Sequence, residues 1–229
     1  ELAANSEDTA TLLEPRVLRP LLPRRPFETH KNQAGRLLIV AGSPGYLGAA
    51  ELACRGALQA GAGMVTLAVN AAVYPLLAAR VPPEVMVRPV QSYGEALELS
   101  HDAAVIGPGL GRSADAEIHG LAAGLAAPFV LDADALNALA PLADGFAPPA
   151  PGVITPHTGE WRRLVPELAT GTLDRRQQAE TLAQRTPGLT VLLKGARTVV
   201  ATRGEPTFLN STGHPGMATG GMGDLLSGV

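Results

Sequence analysis

The sequence has few aromatic residues, a single cysteine and no strong excess of charge of either sign. Of its 229 residues only 3% are aromatic and 17% are charged, and the formal net charge is −3. Without a basic excess, the chain lacks the electrostatic footprint of a protein that binds nucleic acid or an anionic membrane. We therefore predict neither partner, and any anion that binds must be held by local features of the chain.

The lone cysteine and the short hydrophobic runs restrict the cellular compartments in which the protein is expected. Cys54 cannot form an internal disulfide, and its Ala and Leu neighbours predict a buried, inert side chain. No apolar run is long enough to span a bilayer, and the acidic stretch from Glu1 to Asp8 is unlike a signal peptide. We predict a cytoplasmic protein whose core is built from Leu, Val and Ala.

What the sequence does contain is a regular alternation of short apolar runs and helical stretches. The runs typical of buried strands are 36–41, 64–69, 103–106, 129–131, 152–154 and 190–193. The helices predicted between them are 49–60, 71–79, 114–126, 134–140, 159–165 and 174–185. Residues 198–202 and 207–209 then predict an antiparallel hairpin with Gly204 at its turn. This alternation is typical of an α/β layered fold with a largely parallel central sheet.

Both ends of the chain differ from this pattern. Residues 1–30 mix polar residues with Pro and Arg, which predicts a linker or N-terminal arm outside the core. At the other end, Val229 follows barely two turns after a helix start at Asp224, and a helix that short is marginal by itself. We therefore expect one domain over residues 31–229 that is incomplete at its C-terminus, in a sequence that is a fragment.

The last twenty residues, Asn210–Val229, are the richest in glycine. Glycine gives the backbone freedom to turn its N–H groups inward around an anion, and Asp224 then opens an apolar helix. The positive end of that helix would keep the Asp224 carboxylate ionised, and a carboxylate there could take a proton from a hydroxyl near a bound phosphate. This combination suggests phosphoryl transfer. A surface loop with Asp224 as a simple helix cap is the alternative.

Two more glycine-rich turns follow predicted strands. In an open α/β sheet the ligand lies outside the carboxyl ends of the strands, where Gly42–Gly48 and Gly107–Gly111 both fall. Neither is a dinucleotide-binding G-x-G-x-x-G or a Walker A motif. We predict that these turns and Gly220–Gly223 line one cleft, although Gly107–Gly111 would also suit a plain tight turn.

Polar residues follow three other strands, each with two interpretations. Asp132 and Asp134 could hold a hydrated metal ion, but we favour a cap on the helix that follows them. His157 could touch a substrate, but a lone histidine more often hydrogen-bonds its own loop. Lys194 ends an apolar strand where ligands gather, so we favour a nucleotide-binding role over a solvated turn. Lys194→Ala is then predicted to weaken nucleotide binding more than folding.

Taken together, these motifs resemble those of the ADP-dependent NAD(P)H-hydrate dehydratases, a family of the ribokinase-like superfamily. The likeness runs in order from about His30 to Val229, and the terminal glycine motif separates this family from most of its relatives. The segments that carry the likeness are His30-Lys31, Gly35-Arg36-Leu37, Ala41-Gly42-Ser43, Gly61-Ala62-Gly63, Gly107–Gly111, Thr155–Glu160, Lys194-Gly195-Ala196 and Asn210–Asp224.

The resemblance implies a ribokinase-like three-layer α/β sandwich and a metabolite-repair reaction. Such enzymes restore NADH or NADPH from forms hydrated at C6 of the nicotinamide ring (NADHX and NADPHX), by phosphorylating the hydroxyl from ADP or ATP with Mg²⁺ and expelling phosphate. It also implies a homo-oligomer, with homotetramers among the known assemblies. An NAD(P)H-hydrate epimerase, fused before residue 30 or separate, is the implied partner.

The resemblance also assigns roles to residues, and it assigns none to a metal. Asp224 would be the catalytic base, and the backbone N–H groups of an anion hole would come from Gly220, Gly221, Met222 and Gly223. The hydrated dinucleotide would contact Ala49, Gly109, His157 and Asp224. The nucleotide would contact Lys194, Gly195, Ala196, Arg197, Thr198 and Gly223.

Three positions depart from the family pattern: Thr158 where Pro is common, His214 where Asn is common, and Met222 where a small hydroxyl residue is common. Met222 places a long side chain in the expected anion hole, where only its N–H can help. Two alternatives therefore stay open. One is a ribokinase-like kinase of a small hydroxymethyl compound, and the other is a fragment that binds nucleotide without catalysis because its adenine pocket is unfinished.

Overall fold

The computed structural model describes residues 10–22 and 24–229, and predictions for the first nine residues and Pro23 lie outside the described residues. The strands are β1 (Thr11–Leu13), β2 (Arg36–Val40), β3 (Met64–Asn70), β4 (Val85–Val90), β5 (Ala103–Ile106), β6 (Phe129–Leu131), β7 (Gly152–Ile154), β8 (Leu189–Leu193), β9 (Val199–Thr202) and β10 (Phe208–Asn210). The helices are α1 (Pro15–Leu18), α2 (Leu47–Ala60), α3 (Tyr74–Ala78), α4 (Asp115–Gly124), α5 (Asp134–Ala138), α6 (Thr158–Leu164), α7 (Pro166–Ala169), α8 (Arg175–Arg185) and α9 (Met222–Gly228). Short 3₁₀ turns lie at Arg19–Leu21, Lys31–Ala34, Tyr93–Glu98 and Pro215–Met217.

All of these strands join one sheet in the order β1-β10-β9-β8-β7-β6-β5-β2-β3-β4. The seven strands from β8 to β4 run parallel, while β9 is antiparallel to both of its neighbours. The predicted parallel sheet and terminal hairpin are therefore confirmed. Gly204 lies between the hairpin strands with φ +80°, a left-handed conformation that glycine adopts at little cost.

Helices cover the sheet on two faces, which confirms the three-layer fold. Successive side chains of a strand point to opposite faces, so β2 contributes to two hydrophobic clusters. Leu38 and Val40 join the larger cluster with residues of α4, α5, α6 and α8, whereas Ile39 joins the smaller one with residues of α2 and α3. Cys54 belongs to the smaller cluster, where burial raises its pKa to about 12, as expected of an inert thiol.

Two strands were not indicated by the sequence pattern. In β4, Met86, Arg88 and Pro89 are exposed, so this edge strand lacks the apolar run of its neighbours. The arm supplies the other, since β1 adds a parallel strand beside β10. None of the arm's residues from 10 to 30 that the structure describes is buried.

Across the described part of the chain, no helix has the length and apolar character needed to cross a bilayer.

Helix α9 packs directly on α2 through glycine. A Cβ placed on Gly56 would overlap the carbonyl oxygen of Leu225, and one placed on Gly228 would overlap the carbonyl oxygen of Ala53. Both residues are buried, so neither clash could be relieved into solvent. The abundance of Gly and Ala in the sequence thus allows two helix backbones to touch, and this contact fixes the position of α9.

This crossing leads to a stability prediction. Gly56→Ala should lower the free energy of unfolding by roughly 1–3 kcal/mol, because the added methyl must push α9 away from α2. Gly120→Ala is the matched control, since Gly120 is also inside a helix but has open space where its Cβ would lie. It should gain roughly 0.5–1 kcal/mol from the helix propensity of Ala. Urea denaturation measures both, and shifts of the same sign would contradict the close crossing.

Candidate active site at the carboxyl edge of the sheet

The candidate site lies where the parallel strands end. The chain runs from β2 outward to β3 and β4, then returns to place β5 on the other side of β2. The direction of winding therefore switches between β2 and β5, and ligands bind at such a switch point in open α/β sheets. The turn at Gly42–Gly48 follows β2, and the turn at Gly107–Gly111 follows β5.

These two glycine turns contact each other. The Gly42 N–H donates to the carbonyl of Pro108 at 2.9 Å. Gly109 has φ +62°, and a Cβ there would come within 2.8 Å of the Cβ atoms of Ala49 and Tyr46. Gly109 therefore has to be glycine for the turn to lie against the start of α2. The structure thus brings together Ala49 and Gly109, two residues to which the family resemblance gives contacts with the hydrated dinucleotide.

Asp132, at the end of β6, is a buried anion with two partners. Its residue surface is 1% exposed. One carboxylate oxygen accepts a hydrogen bond from Lys194 Nζ at 2.6 Å, and the other accepts from the Ser227 hydroxyl at 2.6 Å. The favoured interpretation of Asp132 as a helix cap is wrong, because the residue at the cap of α5 is Ala133 and no side chain caps it.

Asp134 does not cap that helix either. It is the first residue of α5, and its carboxylate accepts a hydrogen bond from the Gly111 N–H at 2.8 Å. The second oxygen accepts from the Asn137 side chain at 3.2 Å. Asp134 therefore fixes the end of the Gly107–Gly111 turn, and the cap predicted for it is wrong as well.

Lys194 is paired inside the protein and mostly buried, with 18% of its side chain exposed. Besides Asp132, its ammonium lies 3.9 Å from a carboxylate oxygen of Glu160. Behind it, the Arg175 guanidinium donates to the carbonyls of Leu193 at 3.1 Å and Lys194 at 2.9 Å. The turn that follows is exposed at Gly195, Ala196 and Arg197, and its Thr198 hydroxyl donates back to the Gly195 carbonyl at 3.2 Å.

His157 caps α6, as the simpler of its two interpretations predicted. Its Nδ1 accepts hydrogen bonds from the N–H groups of Gly159 and Glu160, at 2.8 and 3.3 Å. In return the Glu160 carboxylate accepts from the His157 N–H at 2.8 Å. The imidazole remains 55% exposed, and its Nε2 lies 3.4 Å from a carboxylate oxygen of Glu160. Burial raises the pKa of Glu160, although its hydrogen bond from His157 and the charge of Lys194 oppose the shift.

Asp224 lies in the first turn of α9 beside this ion pair. The preceding Gly221 adopts a left-handed φ of +90°, and Met222 begins the helix. A Cβ on Gly223 would lie 3.5 Å from Lys194 Nζ and 3.8 Å from an Asp132 oxygen, so the pair sits directly beneath this loop. The first N–H groups of a helix have no acceptor within it, which leaves those of Met222, Gly223 and Asp224 free for a ligand.

The protonation of Asp224 differs from the prediction. We expected the helix end to keep the carboxylate readily ionised, but its pKa is raised above the ordinary value. Burial is the largest cause, and the charges of Asp132, Asp134 and Glu160 add to it, while Lys194 opposes it. A carboxylate with a raised pKa is a stronger proton acceptor once ionised, which suits a general base.

The three predicted glycine motifs therefore meet at one edge of the sheet. Gly42–Gly48 touches Gly107–Gly111 directly, and Gly107 and Gly223 both approach Asp132. Two cavities of about 500 and 560 Å³ open toward the opposite edge, where Arg36 and Asp102 line both, and the second also reaches Ser227 in α9. Ser227 was also missed by sequence reasoning, since one hydroxyl after two leucines carries no signal that its partner lies at the end of β6.

Comparison of the chain with known proteins identifies the family to which it is similar. The sequence model of the NAD(P)H-hydrate dehydratase family matches residues 37–229. The chain is 42% identical to the bifunctional NAD(P)H-hydrate repair enzyme Nnr of Gloeobacter violaceus, covering 96% of this chain and 45% of that protein. It is also 42% identical to Nnr of Escherichia coli, covering 91% of this chain and 40% of that protein. The chain thus spans less than half the length of these relatives.

Solved structures agree on the fold. The ADP/ATP-dependent NAD(P)H-hydrate dehydratase of Bacillus subtilis, co-crystallized with ATP/Mg²⁺, superposes with a TM-score of 0.81 at 32% identity, covering 96% of this chain and 79% of that chain. A ribokinase-like superfamily protein of Enterococcus faecalis superposes with a TM-score of 0.79 at 30% identity, covering 95% of this chain and 77% of that chain.

Proposed function

The chain belongs to the NAD(P)H-hydrate dehydratase family, and on that premise we propose that it restores NADH or NADPH from the hydrated forms NADHX and NADPHX at the expense of ADP or ATP. The observation that carries this proposal is the position of Asp224. Its carboxylate lies at a glycine-rich helix start, above the buried Lys194–Asp132 pair and beside the turns at the switch point. A hydroxyl donor and a phosphoryl donor can meet there.

The reaction needs the phosphoryl group because hydroxide is a poor leaving group and phosphate is a good one. Asp224 takes the proton from the C6 hydroxyl, and the oxygen attacks the terminal phosphorus, which releases AMP from ADP or ADP from ATP. The C6–O bond then breaks as phosphate leaves, and loss of a proton from C5 restores the ring double bond. The backbone N–H groups of Gly220, Gly221, Met222 and Gly223 stabilise charge on the transferring group.

The remaining residues hold the two ligands on either side of Asp224. Ala49 and the exposed face of the His157 imidazole would contact the hydrated dinucleotide, and Gly109, whose backbone is buried against Ala49 and Tyr46, would shape that side of the site. The turn from Lys194 to Thr198, which is exposed at Gly195, Ala196 and Arg197, would contact the nucleotide together with Gly223. These roles fit the positions of the residues.

Mg²⁺ would accompany the nucleotide. Among the residues that the structure describes, no group of three or more His, Cys, Asp or Glu could hold a metal ion by itself. We propose that the nucleotide phosphates carry the ion into the site, where it supplies charge neutralisation on the phosphoryl group.

A turnover assay on the full-length protein tests the proposal. With hydrated NADH and ADP, the absorbance of NADH should recover, and one free phosphate should appear for each NADH formed. Omitting the nucleotide should abolish both signals. A product that stays phosphorylated would instead favour the kinase of a small hydroxymethyl compound, and nucleotide binding without turnover would favour a non-catalytic fragment.

Three features of the wider protein stay predictions. Relatives of this chain are bifunctional repair enzymes, so we propose an epimerase partner, fused before residue 30 or separate. A homo-oligomer, with a homotetramer as the specific expectation, can be checked by light scattering. A cytoplasmic location is proposed on the same family basis.

A further inference from the structure

Asp132 is a buried carboxylate, and each of its two oxygens accepts a hydrogen bond from a residue of the candidate site. One carboxylate oxygen accepts from Lys194, the residue directly after β8, and the other accepts from Ser227 in α9. The ends of two parallel strands and the helix that carries Asp224 are therefore held by a single buried anion.

The connection continues from Ser227 to the glycine loop. The single O–H of Ser227 donates to Asp132 at 2.6 Å and is shared with the carbonyl oxygen of Gly223 at 2.9 Å, one turn earlier in α9. Ser227 is 3% exposed, so water does not compete for these bonds. Hydrogen bonds to a buried carboxylate are stronger than those between neutral groups. The first turn of α9, with Asp224 in it, is thus tied to β6.

We propose that Asp132 is a positioning residue that holds Lys194 and α9 in one arrangement through its two carboxylate oxygens, and so fixes Asp224 relative to the nucleotide turn. This inference rests on the proposed function of Asp224 as the base. Asp132 itself contacts neither ligand in this scheme, because it is buried beneath Gly223. A reacting group displaced by about 1 Å can lose on the order of 10²-fold in rate, so a residue of this kind has a large effect on turnover.

The charge of Asp132 adds a signature that packing alone would lack. Asp224 faces the carboxylates of Asp132, Asp134 and Glu160 and the single ammonium of Lys194. Burial is the largest cause of its raised pKa, and Asp132 is the next. If Asp132 loses its charge, the Lys194 ammonium is no longer compensated by it, so the pKa of Asp224 should fall. Asp224 must be ionised to accept a proton. The fall of kcat at acid pH should therefore occur at a lower pH in Asp132→Asn than in the wild-type protein.

Two variants and two controls test the proposal in the full-length protein. Asp132→Asn removes the charge, and Ser227→Ala removes the bridge while leaving the ion pair. Asp102→Asn removes a carboxylate paired with Arg36 at the opposite edge, and Thr186→Val removes a buried hydroxyl bonded only within its own helix region, to the Leu182 carbonyl. These controls match the chemistry of each change away from the site.

We expect kcat to fall about tenfold or more in Asp132→Asn and in Ser227→Ala, and to stay at the wild-type level in both controls. The titration midpoint of the Asp224 carboxyl, followed by carbon NMR without any ligand, should move to lower pH only in Asp132→Asn. A wild-type midpoint in Asp132→Asn, or a wild-type kcat in Ser227→Ala, would overturn the inference. If Asp132→Asn does not fold, the kcat of Ser227→Ala still decides.

The NMR titration needs no turnover, so it separates this inference from the proposed function. Should the wild-type protein fail to release phosphate, the proposed function fails whatever the titration shows. Should the wild-type protein turn over normally while Asp132→Asn leaves the titration midpoint of Asp224 unchanged, only the positioning role fails. A purely structural Asp132 predicts a lower melting temperature in Asp132→Asn and a wild-type kcat in Ser227→Ala.

Discussion

Replacing Asp224 by Asn should lower turnover by about 10²–10⁴-fold while the fold and ligand affinity stay nearly unchanged. The amide has the shape of the carboxylate and leaves the N–H groups of the anion hole in place, but it cannot accept the proton of the C6 hydroxyl. Asp224 lies in the first turn of α9 with no side-chain cap on that helix, so its loss removes no cap. The rate at which NADH forms from its hydrate measures the effect.

The simpler interpretation of Asp224 gives a different result. Asn caps a helix about as well as Asp does, so a capping residue would lose neither stability nor activity on this change. Asp115→Asn is a suitable control, because Asp115 also lies in the first turn of a helix, α4, where it pairs with Arg112 outside the glycine motifs. Retention of most of the wild-type rate by Asp224→Asn would remove the residue from the mechanism.

Replacing Lys194 by Ala should destabilise the protein by about 3–5 kcal/mol, because it leaves the buried carboxylate of Asp132 without its cation. The sequence had predicted a greater loss of nucleotide binding than of folding. The buried pair at 2.6 Å changes that expectation, since folding and binding should now both suffer. Urea denaturation gives the first quantity, and calorimetric titration with ADP gives the second.

An exposed ion pair provides the comparison. Arg185 and Glu167 are 3.0 Å apart on the surface, so Arg185→Ala should cost about 0–1 kcal/mol. Adding Asp132→Asn to Lys194→Ala should restore part of the lost stability, because the uncompensated charge is then gone. If Lys194→Ala costs no more than Arg185→Ala, the pair does not stabilise the site.

The fold was predictable where apolar runs are continuous, and less so where they are not. Strands buried on both faces, such as Ala103–Ile106 and Gly152–Ile154, have the predicted bounds because every residue is apolar or glycine. The edge strand Val85–Val90 was missed because three of its residues face solvent and one is Pro89. Strand order depends on contacts between distant residues, which no local pattern records.

The candidate site also has features that the local sequence predicts and features that depend on distant residues. Glycine turns at strand ends could be predicted because backbone freedom and sheet geometry are local properties. The role of Asp132 could not, because its partners Lys194 and Ser227 lie far along the chain and its helix-start position resembles a cap. The raised pKa of Asp224 was also missed, since burial depends on the finished packing.

The contact between α2 and α9 has a consequence for how the protein is made. Gly56 leaves the ribosome long before Leu225, so α2 waits with its Ala and Gly surface uncovered until α9 has been synthesised. Contacts between such distant segments slow folding, and the exposed surface invites aggregation in the meantime. Because Asp224 arrives on the same later helix, a nascent chain can complete its sheet before it acquires the base, and so stays catalytically silent until α9 has emerged.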